Sequence, residues 1–423
     1  MSSPVNFAPY IQPEELAQLA LKMANTFSPM GHEQALAEFV FGWLNDNHLN
    51  ASLQQILPDR ANVVAILPGS GGGKSLLFNS HLDSEISGPE FDWNMHVPDI
   101  NRIGAWREGT RLFGHTMLND RGLMATTMIA LKALRDSGAS ISGDVIFTGV
   151  SGETGASPVD EYQGLTYEGK GFGSRHLISH GIRADYALVA ETTDFGISWF
   201  ACGAAYFKVS VPGVNQYTPR SQRPDNISEH PNAIVKMAHV IQALETWARQ
   251  YEASHAFNSP CGHVVPKVNI GAIRGGVPYR PNRTSPYCSI YVDVRMLPGE
   301  DPLRLERELQ SAVDSVKVDG KVETFLARSG AVGVGTEPLA GEVTKAFRKV
   351  TGQDPLPQAP QEVVSMWRDN NVFNEAGIPS LTFGPPRRRD KETNRLCFEL
   401  DDLANMANVY AEVAFAICQE PKG

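Results

Sequence analysis

Close-spaced cysteines are missing from this chain. Its five (Cys202, Cys261, Cys288, Cys397 and Cys418) are widely scattered, so a Cys-based zinc site is not expected. The odd count, with no export signal in view, reads as free thiols in a reducing cytoplasm. The N-terminal stretch MSSPVNFAPYIQPEEL lacks a charged start followed by apolar residues, so no secretory signal is expected and a cytoplasmic location is. No apolar run approaches the roughly 18 residues that span a bilayer, and no membrane partner is expected. Basic runs are absent apart from Arg387, Arg388 and Arg389, and the formal net charge is -10. A nucleic-acid partner needs a positive face, so none is expected. Internal repeats and low-complexity segments are also missing. So is histidine anywhere after His263.

What is present is a globular balance, with 42% hydrophobic and 20% charged residues. At 423 residues the chain is too long for one ordinary core, which points to two domains. The first segments predict helices: Gln12 to Phe27 opens with Pro13-Glu14-Glu15, and His32 to Asn47 carries Leu36, Phe39, Val40, Trp43 and Leu44 at helical spacing. The period then changes. Val63–Leu67, Leu76–Phe78, Val145–Val150 and Tyr186–Ala190 are short apolar runs, and Gly122–Asp136 between them has the spacing of a helix. Buried strands alternating with helices predict an α/β fold, a mostly parallel sheet covered by helices.

From about Ala205 the texture shifts. Strands are predicted at Tyr206–Val211, Val268–Ile273 and Ser289–Val294, and helices at Pro231–Tyr251 and Pro302–Val316. These make an inserted α+β domain over 205–327. Residues 1–204 and 328–423 form the catalytic domain, which the strand Ser380–Phe383 and the helix Asp401–Cys418 complete.

Sheets of this kind present their functional groups just beyond the strand C-termini. His81-Leu82-Asp83 follows one strand, and side chains at i and i+2 point the same way. That suits a histidine ligand with a carboxylate near its other ring nitrogen or near the metal. Asp120 immediately precedes a helix, where an aspartate also serves as an N-cap. Glu153, in Ser151-Gly152-Glu153-Thr154-Gly155, and Glu191, in Ala190-Glu191-Thr192-Thr193, follow two further strands, where they could be turn acids. Jointly, however, three strands deliver polar groups to one sheet edge. Clustered carboxylates repel unless a cation neutralises them, so a divalent metal is the economical explanation.

The order His-x-Asp, Asn-Asp-x-Gly before a helix, Glu-x-Gly after a strand and Glu-Thr-Thr after another resembles the family of aminoacylases, glutamate carboxypeptidases and succinyl-diaminopimelate desuccinylases. Further landmarks are Val211-Pro212-Gly213 leading to Pro231-Asn232-Ala233-Ile234, Asp293-Val294-Arg295, and Asn374 to Pro379 before Phe383-Gly384-Pro385. The resemblance covers nearly the whole chain and makes the inserted domain a lid and dimerisation domain. It implies two zinc ions bridged by an aspartate. His81, Asp120 and Glu191 would hold the first, with Asp83 orienting His81. Asp120, Glu153 and a C-terminal histidine would hold the second.

The chain departs from that pattern three times. No histidine is available for the second ion, and by register the position falls near Glu392, a possible ligand or a salt-bridge partner for Arg387 to Arg389. The first of two consecutive family glutamates, the general base, is Gly152; Glu153, freed from ligation, could serve instead. A lid histidine that stabilises the oxyanion is replaced by register with Tyr217, near Arg220 and Arg223, unless Tyr217 is simply a surface residue.

One ion per chain is therefore expected over two, with Mn²⁺ favoured over Zn²⁺ by the oxygen-rich set. A single ion still acidifies water and polarises a substrate oxygen. The chain is similar to one offshoot of the family, 5-nitroanthranilic acid aminohydrolase. The expected reaction is then hydrolytic deamination of an amino-nitroaromatic acid by metal-activated water. Arg283, Asn282 and Tyr217 become candidates for substrate binding, with Trp93 and Trp106 as aromatic walls. The alternatives are an amidase, aminoacylase or exopeptidase acting on N-acyl amino acids, and an inactive metal-dependent binding protein. Expected partners are the small-molecule substrate and a second copy of the chain, in a homodimer or higher homo-oligomer formed through the lid.

Overall fold

The computed structural model describes residues 5–87 and 104–422. Two compact units are present, and each is described by itself. The first runs to Phe200 and resumes with Val332–Val363 and again from Arg368; the second is Ala201–Ala331 with Val364–Trp367.

The first unit begins with helices α1 (Pro13–Ala24) and α2 (Gln34–Asp46). Pro13 occupies a first-turn position where its missing N–H costs nothing, and Glu14 and Glu15 sit at the positive helix end. Next come β1 (Ala51–Leu57), β2 (Arg60–Leu67), β3 (Leu76–His81), α3 (Gly122–Asp136), β4 (Val145–Val150), α4 (Phe172–Ser179) and β5 (Tyr186–Val189).

The second unit contains β6 (Gly203–Pro212), α5 (Ala233–His255), β7 (Val268–Gly275), β8 (Tyr287–Met296), α6 (Pro302–Ser315) and β9 (Lys321–Arg328). Its antiparallel sheet runs β7-β8-β6-β9. Met237, Val240 and Leu244 of α5 and Leu305, Leu309 and Val313 of α6 pack on the sheet residues Phe207, Val209, Ile290 and Val292. Asn232 and Asp301 cap the two helices through their side chains, accepting from Ile234 N (3.0 Å) and Leu303 N (2.9 Å). The stretch Val364–Trp367, expected from the sequence in the first domain, joins this unit because Cys202 N donates to Met366 O (3.1 Å) and Val265 N to Ser365 Oγ (3.2 Å).

The chain then returns to the first unit with α7 (Glu337–Thr351), α8 (Asn370–Glu375), β10 (Ser380–Thr382) and α9 (Leu400–Gln419). The central sheet runs β10-β5-β3-β4-β2-β1. The first four strands are parallel, and β2 and β1 extend them as an antiparallel edge. Side chains alternate between its faces. Leu76, Phe78, Val145, Phe147 and Leu188 enter the larger core with α1, α3, α7 and α9. Leu77, Ile146, Ala187 and Val189 enter a smaller one with Leu177 of α4 and Phe373 of α8. Both faces are covered, which is why these strands read as unbroken apolar runs. The chain leaves β3 toward β4 on one side and reaches β5 on the other, so the C-terminal end of β3 is a topological switch point. Among the described residues, no helix is long and apolar enough to cross a membrane.

Candidate metal centre

His81 is the last residue of β3, at that switch point. Glu153 and Glu191 follow the ends of the neighbouring strands β4 and β5. Asp120 arrives from a distorted turn before α3, with non-helical backbone at Asn119 and Asp120 and a cis peptide between them. It is not an N-cap: α3 is preceded by Arg121 in helical conformation and has no side-chain cap. The ligand atoms of His81, Asp120 and Glu191 lie within 4.8 Å of one another, all three buried. Nε2 of His81 faces Asp120 Oδ2 at 3.6 Å. Its Nδ1 is 2.8 Å from the carbonyl oxygen of Asp83. A carbonyl only accepts, so in the neutral ring the proton sits on Nδ1, which leaves the Nε2 lone pair for a metal.

Asp83 therefore orients His81, but mainly through its carbonyl; its Oδ1 is 3.7 Å from Nδ1. Its carboxylate does a second job the sequence did not suggest. It accepts from Glu153 N (3.0 Å), Thr154 N (2.8 Å) and Thr154 Oγ1 (2.5 Å), pinning the loop that carries Glu153. Asp83 is thus a positioning residue. Burial pushes its carboxyl up, but His81, Thr154 and the Glu153 amide outweigh burial and hold it well below the usual range.

The donor set fits a divalent ion. Asp120 Oδ1 and Glu191 Oε1 are buried and have no hydrogen-bond partner. Buried carboxylate oxygens are costly without a donor or a cation. Burial disfavours charge on His81, yet Asp120, Asp83 and Glu153 hold its imidazole well above the ordinary range. Such surroundings attract positive charge. Glu153, expected among the ligands, is not in the close set. It is buried beside Glu191, and its carboxyl is pushed up to about 8, first by burial and then by Glu191, with Lys170 and His81 opposing.

Gly152 has φ +69, and a Cβ there would meet Arg60 Nη2 at 2.4 Å, Glu168 O at 2.9 Å and Phe172 Cβ at 3.0 Å. Arg60, fully buried, cannot retreat. It pairs with Glu33 through Nε (2.9 Å) and Nη2 (2.8 Å) and donates from Nη1 to the carbonyls of Leu165 (2.7 Å) and Glu168 (2.8 Å). The place of a first glutamate is filled by an arginine network that ties the loop after β4 to the domain.

Glu392 is exposed and is not in the ligand set. Nor do the neighbouring arginines turn to it: Arg388 pairs with Asp402 (2.6 Å), Arg389 donates to Asn394 O (2.8 Å), and Arg387 reaches Asp120. Tyr217, Asn282 and Arg283 lie together in the second unit, all exposed. Tyr217 bridges Arg283 through the backbone, Thr218 N donates to Asn282 O (2.9 Å), and Arg283 Nη1 donates to Asn215 Oδ1 (2.9 Å). Trp106 donates to Glu108 Oε1 (2.8 Å) and stacks on Phe113, a packing role. Trp93 lies outside the described residues.

The sequence reading missed a ring of groups around the cluster. Arg368 donates from Nε to Glu191 Oε2 (2.5 Å), from Nη2 to Thr192 O (3.0 Å) and from Nη1 to Val363 O (2.9 Å). Asp369 is fully buried and accepts from Asn79 Nδ2 (2.9 Å) and Ser174 Oγ (2.7 Å). Burial, aided by Glu191, pushes it up to about 6 against those hydrogen bonds. Arg121 donates from Nη1 to the Asp83 carbonyl (2.5 Å) and from Nη2 to Ser28 O (3.1 Å). The available signal was Arg368-Asp369-Asn370-Asn371, a dense polar run between apolar segments.

Residues 222–321 match the family described as a peptidase dimerisation domain. The N-formyl-4-amino-5-aminomethyl-2-methylpyrimidine deformylase of Bacillus subtilis is 22% identical over 97% of this chain and 96% of its own. The acetylornithine deacetylase of Vibrio cholerae is 26% identical over 69% of each chain. Among solved structures, a tripeptidase from Staphylococcus aureus superposes with a TM-score of 0.68 at 15% identity, covering 97% of this chain and all of that one (100%). A Bacillus subtilis protein described as a dinuclear metal-binding peptidase of the M20 family superposes with a TM-score of 0.58 at 13% identity, covering 96% and 98%.

Proposed function

We propose that this chain, an M20-family metal-dependent hydrolase of C–N bonds, cleaves the amide bond of a small N-acyl amine or N-acyl amino acid. The observation that carries this reading is the convergence of His81, Asp120 and Glu191, with Glu191 Oε1 buried and unpartnered. His81, Asp120 and Glu191 would hold a divalent ion, Mn²⁺ or Zn²⁺, which would supply Lewis acidity toward water and a carbonyl oxygen. The chain's own residues do the rest. The Asp83 carbonyl keeps the His81 proton on Nδ1, Arg368 holds Glu191 in place, and the Asp83 carboxylate fixes the Glu153 loop. Glu153 is the general base, because Gly152 leaves no side chain to play that part and burial raises the Glu153 carboxyl, which makes its ionised form a stronger base.

The relatives support amide cleavage better than the aromatic deamination expected from the sequence: one is a deformylase, another a deacetylase. The deamination remains a second reading for one reason. The closed position at Gly152 leaves Glu153 to serve alone, and attack on an activated aromatic carbon asks less of a base than attack on an amide. One experiment separates these. Protein stripped with a chelator and reloaded with Mn²⁺ or Zn²⁺ is assayed for amine release from N-formyl and N-acetyl substrates, and for ammonia release from 5-nitroanthranilate. Metal-dependent deacylation is the expected result. Ammonia from the nitroaromatic alone would reverse the order of the readings, and stoichiometric binding without turnover of either would sink both.

Self-association belongs to the same proposal. In the second unit β7 is an edge strand, and Ile273 on it, Val277 just beyond it and Ile234 on α5 are exposed. An edge strand with exposed apolar side chains is suited to a symmetric contact with a second copy.

A further inference from the structure

The oxygens of Asp120 are divided between two directions. Oδ2 faces His81 Nε2 at 3.6 Å, and Oδ1 faces Arg387 Nη2 at 3.7 Å. A carboxylate bridging two cations divides its oxygens in the same way. Of the three consecutive arginines, Arg388 and Arg389 are engaged by Asp402 and Asn394, and only Arg387 turns toward the centre. Its Nε is buried with no hydrogen-bond partner, so charge is its evident bond to the site.

A second divalent ion has little to bind here. Histidine is absent from the chain after His263. Glu153 stands outside the close ligand set, its loop pinned to Asp83, and a side chain at position 152 has no room. The charges agree. Arg387 and Arg121 already set positive charge against Asp120, and Arg368 against Glu191, so a second divalent ion would add two further positive charges beside guanidinium groups in a buried site.

We propose that the Arg387 guanidinium takes the place of a second divalent cation against Asp120 Oδ1, so that this centre holds one metal ion where the dinuclear relative holds two. The inference rests on the metal-centre reading above and adds the residue that sets the number.

The test is equilibrium dialysis of the purified full-length protein against Mn²⁺ and, separately, Zn²⁺, with metal counted by mass spectrometry and affinity taken from calorimetry. The parent should bind one equivalent per chain, and so should Arg387→Lys. Arg387→Gln and Arg387→Ala, checked for native circular dichroism, should bind the first ion about tenfold or more tightly, because a positive charge has been removed beside it, or take up a second equivalent. Two equivalents in the parent would overturn the inference and leave the metal centre standing. Neutral variants matching the parent in both number and affinity would also overturn it. No ion in the parent would overturn the metal centre and the inference together.

Discussion

Replacing Gly152 with glutamate would, on paper, restore the consecutive pair of acids that the family pattern carries. The structure predicts damage instead. The backbone at this position has φ +69. A side chain held in that left-handed region costs about 1–2 kcal/mol. The new Cβ would also stand 2.4 Å from Arg60 Nη2, against a guanidinium locked to Glu33, Leu165 and Glu168 and lying 4.4 Å from the Phe172 ring centroid. Removing one partner of a buried ion pair costs about 3–5 kcal/mol, which bounds from above what a shifted guanidinium loses. Together these amount to a large share of a stability of about 5–15 kcal/mol. Urea unfolding, followed by fluorescence, should show a clearly lowered midpoint for Gly152→Glu and no gain in turnover. Gly152→Ala is the decisive companion, since the collision begins at Cβ; it should lose most of the same stability with no added charge. Gly152→Ala within about 0.5 kcal/mol of the parent, or a Gly152→Glu protein of parental stability with raised activity, would refute the reasoning.

His81→Ala should abolish tight Mn²⁺ binding while leaving circular dichroism unchanged; a variant that still binds one equivalent with parental affinity would remove His81 from the ligand set. Glu153→Gln should keep its metal and lose about 10²–10⁴-fold in kcat. Because a base acts only when deprotonated, parental kcat/KM should rise with pH through the Glu153 pKa, which lies near 8 without an ion and lower with one beside it; this limb should vanish in Glu153→Gln, and its persistence would assign the base elsewhere. Ile273→Lys, on the exposed edge strand β7, should shift the protein toward monomer in analytical ultracentrifugation, and an unchanged sedimentation profile would move the interface off that edge.

Much of the scaffold is legible residue by residue. Val145–Val150 and Gly122–Asp136 form the strand and helix that their apolar spacing predicts, and strands around Leu77, Ala187 and Leu381 differ from expectation only at their ends. The edge strand β1, β9 and helix α7 were not foreseen. β1 is half-buried along its length and therefore lacks an apolar signature, and β9 mixes Lys321, Glu323 and Arg328 into its sequence. Such elements are set by what they pair with, which local pattern does not record.

The site divides along the same line. His81, Asp120 and Glu191 could be found from the sequence because each follows a strand or precedes a helix, and those ends are recognisable from short-range periodicity alone. Their partners could not. Arg368 meets Glu191 across 177 positions of chain, Arg60 meets Glu168 across 108, and Arg387 comes to Asp120 from a loop beyond the sheet's last strand. What the sequence by itself determined is the order of strands and helices and the acids and histidine at their ends, since these depend on neighbours a few residues away. Only the tertiary structure decided that an arginine closes the place at Gly152, that Asp83 works through both its carbonyl and its carboxylate, and that Asp120 has a guanidinium beside it. Those outcomes are contacts between distant segments, which exist only once both cores have formed around the sheet.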